Sequence, residues 1–246
     1  MLLNLLQSGL SAGFGSDSFK LSLVSVLLSL PIIMFALSAH ETAHGLVAYW
    51  LGDPTAKNLG RLTLNPLKHL NPLGFLAMLI VGFGWANPVP INTRNFKNPR
   101  VGMALSGIAG PASNFLIAMI SCLGYVLLEF GLILAGLGLE SGNIWIWILE
   151  NFLYMSIYLN LALAVFNLIP VPPFDGSRFA YVFLPTKWYF KVMQYERYTG
   201  IVLIVVLMIL SRYNISPVGI VVNFLMKAMV NAFALPLNLI LELILS

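Results

Sequence analysis

The chain has 246 residues, of which 59% are hydrophobic and 9% charged, with a net charge of +4. A soluble domain carries about 25% charged residues, so too little polar surface exists here to coat a soluble globule. The units to read are therefore apolar runs of about 20 residues, the length that crosses a membrane.

The first stretch, Met1 to Gly15, is apolar but has no basic residue before it, and Lys20 follows it. It reads as a short interfacial or partly inserted helix rather than a cleaved signal peptide. Leu21 to Leu51 is the first convincing span, interrupted by Pro31 and by the polar cluster His40, Glu41, Thr42 and His44. As a helix it would be about 46 Å long, against a hydrocarbon core of roughly 30 Å, so it must tilt or kink at Pro31. Gly52-Asp53-Pro54 ends it.

Residues 52–100 are irregular and rich in Asn, Pro and Gly. Within them Leu73 to Trp85 is apolar but too short to cross comfortably, which suits a re-entrant or interfacial segment. Trp85 to Phe96, with Pro88 and Pro90 among β-branched and Asn residues, is expected to be extended or an edge-like hairpin. Two long runs follow, Val101 to about Leu139 and Ile144 to Ile169, joined by a short loop carrying Glu140. Cys122, the single cysteine, lies inside the first and reads as packing. Tyr198 to Ser211 is short for a span, while Ile215 to Leu241 is long enough but has Lys227 in its middle. The tail therefore makes either two crossings or one crossing plus a surface helix.

Ten of the thirteen Lys and Arg residues fall in two loops. Lys57, Arg61, Lys68, Arg94, Lys97 and Arg100 lie within residues 52–100, and Arg178, Lys187, Lys191 and Arg197 within 176–197. Such a bias places both loops in the cytoplasm and Glu140 outside. Nucleic-acid binding, the other use of a basic balance, lacks its dense basic run with interleaved aromatics. The first span then runs inward, with His40 about 28 Å along it from Leu21. The third long run also returns inward, to end at Asn167–Gly176. Both polar clusters thus reach the same membrane face.

His40-Glu41-Thr42-Ala43-His44 has the form H-E-x-x-H. Spacing i, i+4 on a helix puts both imidazoles on one face, where they can bind one Zn²⁺, with Glu41 placed to take a proton from the attacking water. Ionisable residues inside a bilayer are expensive and point to function. A catalytic zinc takes three protein ligands. His69, beside Lys68 in the basic loop, is expected to be solvated. Asp175 is the better candidate, because the prolines before it break the helix and Gly176 permits a tight turn that could aim the carboxylate. Taken alone, the same residues equally describe an Asp that ends a helix in a turn.

H-E-x-x-H in one span and Asn167-x-x-Pro170-x-x-Pro173-x-Asp175-Gly176 in a later one resemble the site-2 protease family of intramembrane zinc metalloproteases. Gly110-Pro111-Ala112-Ser113-Asn114 and Trp85-Ala86-Asn87-Pro88-Val89-Pro90 resemble the same family's core. The likeness covers about residues 30–180. It implies three core transmembrane helices, one zinc per chain held by His40, His44 and Asp175, and Glu41 as general base. It also implies that Asn167 binds substrate or stabilises the oxyanion, that Asn114 supports the site, and that a membrane-associated β-structure between the first two core spans holds extended substrate. The sequence has no inserted PDZ domain and no nucleotide-sensing domain, and Phe174 stands where many relatives have Leu.

The expectation is thus an all-α polytopic membrane protein, a single domain over 1–246. Its catalytic core spans about 20–180, its C-terminal helices lie at about 198–245, and a small β or re-entrant region lies between the first core spans. It would sit in the cell (inner) membrane with its site toward the cytoplasm, and its partners would be membrane-protein substrates and the bilayer, not nucleic acid. The rival functions are a metal-ion transporter and an inactive, protease-like membrane chaperone. A transporter predicts polar residues from face to face along several spans. An inactive relative would lack Glu41 or a ligand, and this sequence keeps all four.

Overall fold

The computed structural model describes residues 9–11, 13, 15–81, 84–137, 143–185, 195–213 and 215–245. Most of Met1–Gly15, the loop carrying Glu140, and Lys187 and Lys191 of the second basic loop lie outside these.

Helix α1 runs from Asp17 to Trp50, and its first turn is capped by the Ser16 hydroxyl, which accepts from Phe19 N–H. Pro31 lies inside it. The helix ends at Gly52, whose φ of 106 lies in the left-handed region that a side chain would strain. The chain then turns back so that Asp53 N–H donates to Ala48 O at 2.9 Å. Short helices follow in the loop, α2 (Thr55–Asn58) and α3 (Pro72–Val81). Helix α4 (Pro99–Leu134) is started by Asn98, whose side chain accepts from Val101 N–H, with Pro99 at its first position. Helix α5 (Ile144–Asn167) is capped in the same way by Asn143. The chain finishes with α6 (Asp175–Ala180), α7 (Glu196–Arg212) and α8 (Pro217–Leu245).

Four helices, α1, α4, α5 and α8, are long and apolar enough to cross a membrane. The protein is a multi-pass membrane protein, and most of its described residues are helical. In the tail, α8 has the length of a span, whereas the apolar stretch of α7, Tyr198–Leu207, is shorter than one.

Helices α1, α4 and α5 pack on one another in all three pairs, and α8 packs against α4 and α5. Lipid is as apolar as Leu, so burying apolar surface does not drive this packing; close approach through small residues does. The inward face of α4 shows it, with Gly102, Ala104, Ser106, Gly107, Ala109 and Gly110 all buried. Further along, Ala118, Cys122 and Val126 of α4, Ile157 and Leu161 of α5, and Val222 and Met229 of α8 form the apolar core. Cys122 is packing, as expected.

The loop between α1 and α4 is irregular but tightly tied. Among the described residues there is no strand, and the extended stretch after α3 makes one isolated antiparallel bridge, Leu70 to Ala86. Asn87 is held on every side. Its N–H donates to His69 O at 2.7 Å and its side-chain amide to Leu70 O at 2.9 Å, while its own side-chain oxygen accepts from Asn71 and its main-chain oxygen from Arg61 at 2.8 Å. Asp53, fully buried, joins the end of α1 to the far end of this stretch. Its carboxylate accepts from Thr55, from Asn92 N–H at 2.7 Å and from the Asn95 side chain at 2.6 Å.

His69 departs from expectation. It is 1% exposed rather than solvated, because its Nε2 bonds Thr63 O at 2.8 Å inside the folded loop. Its neighbour Lys68 is no guide to its surroundings, since the chain turns between them.

A candidate metal centre in the membrane

One helical turn separates His40 from His44, so both imidazoles leave α1 on the same side, and both are 5% exposed. Their edges meet, with ring centroids 4.6 Å apart. Asp175 approaches from the other end of the sequence. Helix α5 stops at Asn167, and the chain folds back so closely that a Cβ on Gly176 would stand 2.2 Å from Leu168 O. Only glycine fits there, and the turn sets the Asp175 carboxylate at the start of α6, 3.0 Å from His40 Nε2 and 3.2 Å from His44 Nε2.

These three donor atoms lie within 4.8 Å of one another, the single such group of His, Cys, Asp or Glu among the described residues. Ligands about 2.0 Å from a tetrahedral zinc ion stand roughly 3.3 Å apart, close to the 3.0 and 3.2 Å that separate the carboxylate from the two rings. The outer nitrogens give a second test. His40 Nδ1 lies 2.6 Å from the side-chain oxygen of Asn114, and His44 Nδ1 lies 2.6 Å from Ser106 O. Both partners are acceptors, so each Nδ1 carries hydrogen, and each neutral ring turns a bare Nε2 lone pair toward the carboxylate. Three acceptors facing one another call for a cation between them. The third test is space. A Cβ on Gly110 of α4 would stand 2.4 Å from His44 Nε2 and 2.6 Å from His40 Nε2, so the absent side chain leaves the volume at the ligand tips open. The residues fit a zinc ion on all three counts.

Arg178, one turn along α6, brings NH1 to 3.8 Å from the other carboxylate oxygen of Asp175.

Glu41 sits beside this group and accepts from Val89 N–H at 2.8 Å, which ties it to the extended stretch. A cleft of about 740 Å³ opens in front, lined by Glu41, Trp85, Val89, Phe166, Asn167 and Val218 among others. Asn114 is fully buried and touches His40. Asn167 lines the cleft without joining the metal group, and its Nδ2 donates back to Leu163 O at 2.9 Å.

Three participants were not identified from sequence. The Ser106 carbonyl and the Val89 N–H are main-chain groups, which no side-chain pattern announces. Gly110 had a signal, since a residue with no side chain in a packed span marks close approach, but nothing said what approaches.

A hydrolytic donor set of this kind inside a bundle of apolar helices defines a class, the membrane-embedded metalloproteases. The chain belongs to peptidase family M50, the site-2 protease family, whose signature matches residues 28–213. It is 41% identical over 214 residues to the "Putative zinc metalloprotease YwhC" of Bacillus subtilis (strain 168), covering 87% of this chain and 90% of that one. It is 29% identical to the "Putative zinc metalloprotease Rip2" of Mycolicibacterium smegmatis, covering 68% of this chain and 62% of that one. No solved structure matches the chain.

Proposed function

We propose that this site-2-type zinc metalloprotease cuts peptide bonds of transmembrane or membrane-associated proteins, near the cytoplasmic side of the cell membrane. The observation that carries the reading is the meeting of His40, His44 and Asp175, 135 positions apart at the extremes, with Glu41 at their side. In this reading His40, His44 and Asp175 hold the metal and α1, α4 and α5 form the catalytic core. Zinc bound there supplies a Lewis acid that acidifies water and polarises the scissile carbonyl.

The protein's own groups do the rest. Glu41, oriented by Val89 N–H, removes a proton from the attacking water and passes it to the leaving amine. Asn114 fixes the orientation of His40. Asn167 faces the peptide in the cleft with whatever hydrogen-bonding capacity its tie to Leu163 leaves. The stretch from Trp85 to Ile91 forms a wall along which an unwound substrate segment lies, because a helical peptide bond is shielded and already hydrogen-bonded.

The test compares membrane-protein fragments in cells carrying the wild-type protein or Glu41→Gln. The variant loses the base and keeps the ligands, so zinc content stays and cleavage falls by about 10³-fold. Identical fragment patterns in the two strains, with zinc present in both proteins, would refute the reading.

A further inference from the structure

The polar contacts do not stop at Asn114. Its side-chain Nδ2 donates both to Ala36 O at 3.1 Å and to the side-chain oxygen of Asn160 at 3.0 Å. Asn160 lies in the C-terminal half of α5, is 1% exposed, and anchors its own amide by donating Nδ2 to Ser156 O at 2.9 Å. Ser156 in turn meets Ser121 of α4, hydroxyl to hydroxyl at 2.8 Å. A buried Asn in a membrane helix is costly unless its groups are paired, and here they are paired in one direction only.

The direction follows from atoms that cannot change roles. Ser156 O and Ala36 O are main-chain carbonyls, and a carbonyl only accepts. Facing them, Asn160 and Asn114 must each present Nδ2. That turns Asn160 Oδ1 toward Asn114, gives Asn114 Nδ2 its second acceptor, and points Asn114 Oδ1 at His40 Nδ1. An imidazole facing an acceptor carries its proton on that nitrogen, so His40 Nε2 is left with its lone pair toward Asp175 and His44.

From this chain of contacts we infer that Asn160 is a positioning residue for the metal centre. It locks the Asn114 amide, and through it the tautomer and ring orientation of His40, from a helix that contributes no ligand of its own. The inference rests on the reading of His40 as a zinc ligand. Removing such an outer partner weakens metal binding by about 10- to 100-fold.

The experiment uses the full chain, purified in detergent, with zinc affinity read by competition against a chromogenic chelator. Cobalt substitution supplies a spectroscopic signature of the ligand geometry. Asn160→Leu, similar in size but without an acceptor, is expected to weaken zinc binding about 10- to 100-fold and to change the cobalt visible spectrum. Asn160→Asp, buried and protonated, can donate its O–H to Ser156 O while keeping an oxygen toward Asn114, and is expected to restore most of the affinity and the wild-type spectrum. Ser121→Ala, two contacts further away, is expected to leave both unchanged. Thermal unfolding with chelator present checks each fold, and Asn160→Ala replaces the leucine variant should that one not fold. Wild-type zinc affinity and spectrum in the folded leucine or alanine variant would overturn the inference. So would a loss in Ser121→Ala as large as theirs, or no recovery in the aspartate variant. A wild-type protein that takes up no zinc would instead overturn the ligand reading beneath it.

Discussion

Gly110 and Asp175 bound the candidate metal position from opposite sides, and a substitution at either is expected to remove zinc for a different reason. Asp175→Ala deletes a donor. Gly110→Ala keeps all three donors but drives a methyl group to within about 2.5 Å of both Nε2 atoms, closer than real contacts allow. Both variants should therefore lose zinc sharply in metal analysis of the purified protein. Gly131→Ala, in the same helix but facing open space, should keep it and melt no lower, since alanine favours a helix by about 0.5–1 kcal/mol over glycine. His69→Ala should also keep zinc, because His69 stands outside the metal group. Full zinc occupancy in the Asp175 variant would remove it from the ligand set. Residue by residue, the candidate site was legible in the sequence where side chains carry chemistry. H-E-x-x-H names its own geometry, and Asp175 stood out because prolines and a glycine surround it. His69 was misjudged because its exposure depends on Thr63 O, a main-chain atom that a fold away in the same loop comes to meet it.

The loop between α1 and α4 is the element whose order matters most to the cleft, and Asp53 is its fastening. Burial opposes ionisation of Asp53, but hydrogen bonds from Thr55, Asn95 and Asn92 prevail and lower its pKa below the ordinary carboxyl value. A carboxyl titrating lower in the folded state than in the unfolded one stabilises the fold fully above its unfolded pKa, about 3.9. That stabilisation is lost as pH falls below this value and through the folded pKa. Asp53→Asn should lower stability at pH 7 by about 1–3 kcal/mol, the cost of weakening charged hydrogen bonds. The gap between variant and wild type should then narrow as the pH is taken below about 4. Thermal melts across that range decide it, and a gap that stays constant with pH would show that the charge contributes nothing. Long spans were legible because twenty apolar residues have few other uses. This loop was not, because its hydrogen bonds join positions 53 with 92 and 95, and 69 with 87, and no local pattern encodes such pairings. Trp85–Phe96 was expected from its prolines to be extended or a hairpin, but it contains no strand and turns into a 3-10 helix at Thr93–Asn95, and the partners that hold it could not be read from sequence.

For the whole molecule, the charge bias makes one firm demand. With ten of thirteen Lys and Arg in residues 52–100 and 176–197, the bias predicts those loops in the cytoplasm and Ser141 outside. Single cysteines replacing Lys97, Lys187 or Ser141 in a Cys122→Ser background can be probed on intact cells with a membrane-impermeant thiol reagent. Only position 141 should react. Labelling at 97 or 187 would invert the protein and put its cleft on the outer side. Lastly, the run from Asn87 to Pro90 bears on how copies of this chain coexist in one bilayer. A segment outside helices ordinarily offers unpaired N–H groups to any neighbouring chain. Pro88 and Pro90 have no N–H, the Asn87 N–H is given to His69 O, and the Val89 N–H is given to Glu41. The run has no main-chain donor left with which to nucleate a sheet between molecules. Crowding in the membrane should therefore not zip these proteins together through this stretch, even while its cleft stands open.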